Sequence, residues 1–134
     1  LNYLLEKEEV AALLRCVHGL LRSGGVAIVD QSTPANSTER NDDFVDEGAR
    51  DDFAYVRESR YDPATRQHET IFTLTVDGQQ RTERHVQRAY AQEEVRSIID
   101  DSPLAAEVAY DEFSTDPAHD ESYRIHWVLR RSHP

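Results

Sequence analysis

Ser23-Gly24-Gly25-Val26-Ala27-Ile28-Val29-Asp30 is the stretch on which the fold turns. Glycine readily takes the left-handed conformation that ends a helix, and here two stand directly before an apolar run. A short apolar run without alternation reads as a strand buried on both faces, as in a parallel sheet. Upstream, Val10, Leu13, Leu14, Val17, Leu20 and Leu21 recur at the spacing of one helical face across Leu5 to Arg22. Glu6, Glu8 and Glu9 fall in its first turns and Arg22 at its end, as the helix dipole favours. Helix, glycine turn and buried strand make half of an α/β unit.

Downstream, residues 31–51 are polar, with an acidic cluster at Asp42, Asp43, Asp46 and Glu47, and read as a long loop or lid with at most one helical turn. Asp52 to Tyr61, Glu69 to Val76 and Arg81 to Tyr90 read as strands. They are joined by the turn residues Asp62-Pro63-Ala64-Thr65 and the hairpin signal Asp77-Gly78. Together they predict a three-stranded antiparallel meander. Ala91 to Asp101 reads as a helix that Ser102-Pro103 ends. Glu107 to Phe113 and Ser122 to Arg130 read as the last two strands, with Tyr123, Ile125, Trp127 and Leu129 on one face.

Composition narrows the function. The chain has 134 residues, the size of one domain. Its 26 acidic residues against 15 basic ones give a net charge of -11, which argues against a nucleic-acid partner. The apolar runs fall far short of the ~20 residues that span a bilayer, so no membrane partner is expected. A cytoplasmic location is expected. Of the basic residues only Lys7 is lysine, a bias that fits either an acidic surface adapted to high salt or an arginine-rich genome. The sequence starts at Leu1 and contains no methionine, so it is expected to be a processed or excised piece.

The order of these elements resembles the C-terminal portion of a class I S-adenosylmethionine-dependent methyltransferase. The resemblance rests on Leu1-Asn2-Tyr3-Leu4, the helix, and the Gly24-Gly25 turn into a strand closing on Asp30. It rests also on His85-Val86-Gln87-Arg88-Ala89-Tyr90 before a helix with early Glu93 and Glu94, and on the terminal strand pair. It implies an α/β fold, α+β within this fragment: the C-terminal half of a Rossmann-like sheet with the meander inserted. Residues 1–30 would then be core, 31–90 an acidic loop plus substrate lid, and 91–134 core again. One departure is plain. The family's glycine-rich cofactor turn is absent: no two of the five glycines form G-x-G. The fragment itself is therefore expected to be inactive and to bind S-adenosylmethionine weakly, while the parent would methylate an N or O acceptor on a small molecule.

The resemblance implies roles for particular residues. Asp30, ending the strand, would be catalytic and orient the acceptor; its structural alternative is a loop cap. Asn2 and Tyr3 match the end of the family's fourth strand and would touch the cofactor; alternatively they are a frayed terminus. His85, Arg88 and Tyr90 would line the substrate pocket, arginine by its planar fork; alternatively Arg88 pairs with a surface carboxylate and Tyr90 is core. No metal site is expected, because the six histidines form no ligand spacing. Cys16 reads as a buried structural thiol.

A rival reading is a free-standing α+β module that binds a ligand or protein without chemistry. Strand order separates the two. The methyltransferase reading needs Val26–Val29 beside the terminal strand pair in a mixed sheet, with the meander apart; the rival needs every strand in one antiparallel sheet. The first reading also leaves an apolar face bare and so predicts a homodimer through it.

Overall fold

The computed structural model describes residues 1–40 and 43–132. Helix α1 spans Lys7–Leu20 and α2 spans Gln92–Asp100. Strands are β1 (Val26–Ser32), β2 (Phe44–Arg50), β3 (Phe53–Asp62), β4 (Gln67–Val76), β5 (Gln79–Arg88), β6 (Leu104–Asp111) and β7 (Arg124–Arg131). They form two sheets, in the orders β1-β7-β6 and β2-β3-β4-β5. The strand after the glycine turn therefore lies beside the terminal pair, and the meander stands apart. The rival single sheet is absent from the described residues.

Each element has a local cause. The Glu9 carboxylate accepts from the amides of Leu5 and Glu6, both at 3.0 Å, which satisfies donors at the start of α1. At its other end Arg131 Nη1 donates to the carbonyls of His18 and Leu21 at 2.9 and 2.7 Å, placing a cation where the helix dipole wants one. Gly24 takes φ 72° in the turn that follows. Asp77 and Gly78, at φ 50° and 73°, make the tight β4–β5 hairpin.

The core lies between the two helices and one face of the first sheet. Val10 and Leu14 of α1 and Val95, Ile98 and Ile99 of α2 meet Leu104 and Ala109 of β6 and Ile125, Trp127 and Leu129 of β7, with Tyr90 among them. Alternate residues of β7 are buried, as a strand covered on one side requires.

The core also encloses a polar chain. Trp127 Nε1 donates to Gln31 Oε1 at 2.7 Å, Gln31 Nε2 donates to the Tyr90 carbonyl at 2.7 Å, and the Tyr90 hydroxyl donates to the Leu4 carbonyl at 2.8 Å. All three side chains are fully buried, and each buried donor has found an acceptor.

Three expectations are corrected. The strand after the glycine turn is neither parallel nor buried on both faces: among the described residues β1 pairs with β7 alone, antiparallel, and Ile28 is 69% exposed. Val26 on the same face is 42% exposed, whereas Asp30 and Ser32 further along are half-buried.

Second, residues 31–51 are not one loop. Asn36–Arg40 form a π-helical turn and Phe44–Arg50 form β2, so the meander has four strands. β2 is an edge strand carrying charge, which disguises it as loop while it guards the sheet edge. Asp51, at φ 53°, makes its turn into β3, a conformation that aspartate tolerates better than most residues. Asp42, placed in the acidic cluster, and His133 lie outside the described residues. Third, Cys16 is exposed on α1 rather than buried.

Candidate functional site

A cavity of about 400 Å³ opens where the end of β1 meets the inner face of the four-stranded sheet. Its floor comes from Asn2 and Tyr3, from Ser32 with Asn36 and Ser37 of the turn after it, and from Arg124 at the start of β7. Its wall is one face of the second sheet. Side chains alternate across a strand, so Arg57 and Ser59 of β3, His68, Thr70 and Phe72 of β4, and His85 and Gln87 of β5 all point the same way.

Asn2 ties floor to wall. Its Nδ2 donates to the carbonyls of Ser32 at 2.7 Å and Arg88 at 2.8 Å, and its Oδ1 accepts from the Ser32 amide at 2.8 Å. The side chain is thus spent on joining β1 to β5. Tyr3, next to it, is 60% exposed, with its hydroxyl 3.0 Å from His85 Nδ1.

Arg88 donates from Nη1 to the Leu5 carbonyl at 3.0 Å, approaches Glu94 at 3.5 Å, and stacks over the Tyr90 ring at 4.7 Å. Its buried Nε has no hydrogen-bond partner among the described residues.

Of the expected site residues, the cavity therefore brings together Asn2, Tyr3, His85 and Arg88. Tyr90 packs in the core beneath it. Asp30 is turned to the neighbouring strand, where its carboxylate accepts from Arg124 Nε and Nη2 at 3.2 and 2.7 Å; Arg124, not Asp30, lines the cavity.

The cavity is electrically balanced. Arg57 forms a bidentate pair with Asp46 at 2.6 and 3.2 Å, Arg88 faces Glu94, and Arg124 faces Asp30. The Arg57 hydrogen bond holds the Asp46 carboxyl below its ordinary range. Ser32, Ser37, Ser59 and Thr70 add hydroxyls to the lining. His68 joins Ser59, to which its Nε2 makes a close contact, and Ser37, whose hydroxyl lies 3.2 Å from Nδ1. Among the described residues no three His, Cys, Asp or Glu side chains converge to hold a metal ion.

Sequence reasoning missed Arg57, Ser59, His68, Phe72 and Arg124. A signal existed for part of this set. The two-residue Asp77-Gly78 turn fixes the β4–β5 register, which sets Thr70 opposite His85 and places His68 on the same face.

No family model matches the sequence, and no curated protein does. Solved structures match well in shape. A methyltransferase from Clostridium acetobutylicum, described as S-adenosylmethionine-dependent, superposes with TM-score 0.84 at 18% identity, over 98% of this chain and 54% of its own. The CcbJ methyltransferase of Streptomyces caelestis gives TM-score 0.75 at 18% identity, over 98% and 53%. An amino pentose methyltransferase of Micromonospora echinaspora, solved with its cofactor bound, gives 0.63 at 16%, over 98% and 54%. The chain thus has the fold of the C-terminal portion of a class I methyltransferase and spans about half the length of the structures it matches. No helix among the described residues is long and apolar enough to cross a membrane.

Proposed function

We propose that this chain is the acceptor-side portion of an S-adenosylmethionine-dependent methyltransferase that acts on a small polar molecule. The observation that carries the reading is the position of the cavity. It lies at one end of β1, between a sheet ordered β1-β7-β6 and a separate sheet that roofs it. The carboxyl end of β1 and the amino end of β7 meet there, Ser32 opposite Arg124.

The residues present fit only one edge of a cofactor site. The exposed ring of Tyr3 borders the cavity, but Asn2 is committed to backbone partners. No G-x-G turn is available to approach a nucleoside. The rest of the cofactor's cradle would come from the portion that the matched structures have and this sequence does not span. When bound, the cofactor supplies an electrophilic methyl group.

This chain's own residues would orient the acceptor and exclude water, effects worth several kcal/mol in an in-line displacement. Tyr3 and His85 would face the acceptor, with Arg88 bounding the far end. Asp30 would act by fixing Arg124, and Tyr90 by supporting Arg88 from below. The serine and threonine hydroxyls of the lining suit a polyhydroxylated acceptor, and the matched structures include an amino pentose methyltransferase and a sugar N-methyltransferase of Streptoalloteichus.

The test is calorimetric binding of S-adenosylmethionine, with transfer of labelled methyl to small acceptors. The full-length protein is expected to bind the cofactor, and the 134-residue chain to bind it weakly or not at all. A full-length protein that binds no cofactor would end this reading. The isolated chain is also expected to self-associate through the bare β1 face around Val26 and Ile28, seen as a dimer by light scattering.

A further inference from the structure

One buried side chain borders both sheets. Among the described residues β1 is an edge of its sheet and β5 an edge of the other. In an antiparallel ladder a residue turns its N–H and C=O to the same side, so an edge strand shows alternate residues to open space. Ser32, the last residue of β1, and Arg88, the last of β5, both show theirs to Asn2. The Ser32 amide donates to Asn2 Oδ1 at 2.8 Å, and Asn2 Nδ2 donates back to the Ser32 carbonyl at 2.7 Å. The Arg88 amide donates to the Asn2 carbonyl at 2.8 Å, and the same Nδ2 donates back to the Arg88 carbonyl at 2.8 Å. Asn2 thus completes the edges of both sheets at once, and it is only 5% exposed.

Chemistry explains why the residue is asparagine. A carboxamide carries two N–H donors and a carbonyl acceptor in one plane, and Asn2 uses all of them on backbone. Aspartate has the same size but no donor, and would set a carboxylate against two carbonyls. Alanine leaves both edges open. Glutamine carries its amide one methylene further out.

What this clasp holds in place is the cavity. Ser32 lies in the floor, directly opposite Arg124 in the β1–β7 register. Arg88 closes the wall, following His85 and Gln87 along β5. A slip of β5 at Asn2 therefore moves the wall side chains relative to the floor.

We propose that Asn2 is the positioning residue of the acceptor cavity. It fixes wall against floor so that the acceptor is presented in one orientation, and it touches neither acceptor nor cofactor. The proposal rests on the methyltransferase reading of the cavity. It replaces the cofactor contact that the sequence resemblance implies for this residue. The leverage is large, because a misplacement of about 1 Å can cost about 100-fold in rate.

The test uses the full-length protein with Asn2→Asp and Asn2→Ala. Calorimetry is expected to give both variants the wild-type Kd for S-adenosylmethionine. Labelled methyl transfer to glucosamine is expected to show kcat/KM lowered about 100-fold in both. Hydrogen exchange is expected to quicken in β5 by about 10-fold for each net hydrogen bond lost, and to stay unchanged in β7. Emission of Trp127, which is buried in the other sheet, is expected to stay unchanged and so to show that the scaffold is intact. Asn2→Gln, which keeps the donors on a longer arm, takes their place with the same expectations if neither of the others folds.

Three results overturn the proposal. Wild-type kcat/KM and exchange in Asn2→Asp would mean that Asn2 only fills space. A cofactor Kd that rises as far as kcat/KM falls would make Asn2 a cofactor contact. Exchange that quickens equally in β5 and β7 would make it a general support of the fold. The functional reading fails separately. A wild-type protein that binds no cofactor ends the methyltransferase reading. One that binds it but leaves glucosamine unlabelled removes that acceptor, and the exchange and cofactor measurements then decide the clasp alone.

Discussion

The two sheets are built on different physics. The β1-β7-β6 sheet is held by apolar burial: Ile125, Trp127 and Leu129 are fully enclosed beneath two helices. The β2-β3-β4-β5 sheet has a single fully buried side chain among its described strand residues, Ser59. Hydrogen bonds of its ladders and ion pairs such as Arg57–Asp46 and Arg84–Glu69 hold it instead. Exposed ion pairs contribute little, about 0–1 kcal/mol each. The first sheet is therefore the stable scaffold. The second is a weakly anchored roof whose inner face is free to carry polar, chemistry-bearing residues. Elements that must move around ligands come from the low-stability end of a structure.

The largest effect expected from this contrast is at Trp127. Trp127→Ala should cost about 3–5 kcal/mol, measured by denaturant unfolding, because it empties the centre of the scaffold. Phe72→Ala on the roof, where the ring is only partly buried, should cost clearly less. Equal losses would break the comparison.

Gln31→Leu sharpens it. The leucine would strand the Trp127 indole N–H and one acceptor site on the Tyr90 carbonyl in a dry interior, at a cost of about 1–3 kcal/mol. The effect should appear as global destabilisation, with scaffold and roof melting together, because Gln31 reaches from β1 to the residue that leads out of the roof.

Gly78→Ala tests the roof by itself. Gly78 holds φ 73° with open space around it, so the substitution meets no clash and only backbone strain of about 1–2 kcal/mol. Hydrogen exchange should quicken in β4 and β5 and stay unchanged in β7. Faster exchange throughout would mean the two sheets open as one unit.

The same contrast explains what the sequence made legible. The scaffold's elements announce themselves through periodicity: the helical face of α1, the alternation of β7 and the glycine turn are all apolar signals. The roof announces itself only through turns. Asp77-Gly78 and Asp62-Pro63-Ala64-Thr65 marked β3, β4 and β5, while β2 went unseen because Phe44–Arg50 is charged and follows a polar stretch. Part of the site was visible as residues matching a known pattern, namely Asn2, Tyr3, His85 and Arg88. Arg57, Ser59 and Arg124 join the cavity through pairings that cross the chain, and Asp30 leaves it for the same reason. Its partner Arg124 sits 94 positions away on β7. Nor did the pattern reveal that β1 is one-sided, since Val26 and Ile28 are as apolar as a doubly buried strand requires.

The smallest effect is expected where the two regions join. Glu94 of α2 accepts from the Ala91 amide at 2.9 Å, faces Lys7 of α1 at 3.3 Å and Arg88 at 3.5 Å, and is hydrogen-bonded by Arg66 from the β3–β4 turn. Burial pushes its pKa up, but the Ala91 amide, Lys7 and Arg66 together outweigh burial and leave it below the ordinary 4.5. The folded state therefore favours the ionised form. Its contribution is complete above pH 4.5 and disappears as pH falls through the lower, folded value. Asp46, Asp62, Glu69 and Glu107 are shifted in the same direction, so the acid sensitivity of the wild-type protein alone cannot be assigned to one of them. The difference between wild type and Glu94→Gln isolates the joint. Glutamine keeps a carbonyl for the Ala91 amide but has no charge for the three cations. The variant should exchange roof amides faster than wild type at neutral pH, and the gap should close as the pH drops below 4.5. A gap that persists in acid would mean that the joint depends on the shape of this side chain and not on its charge.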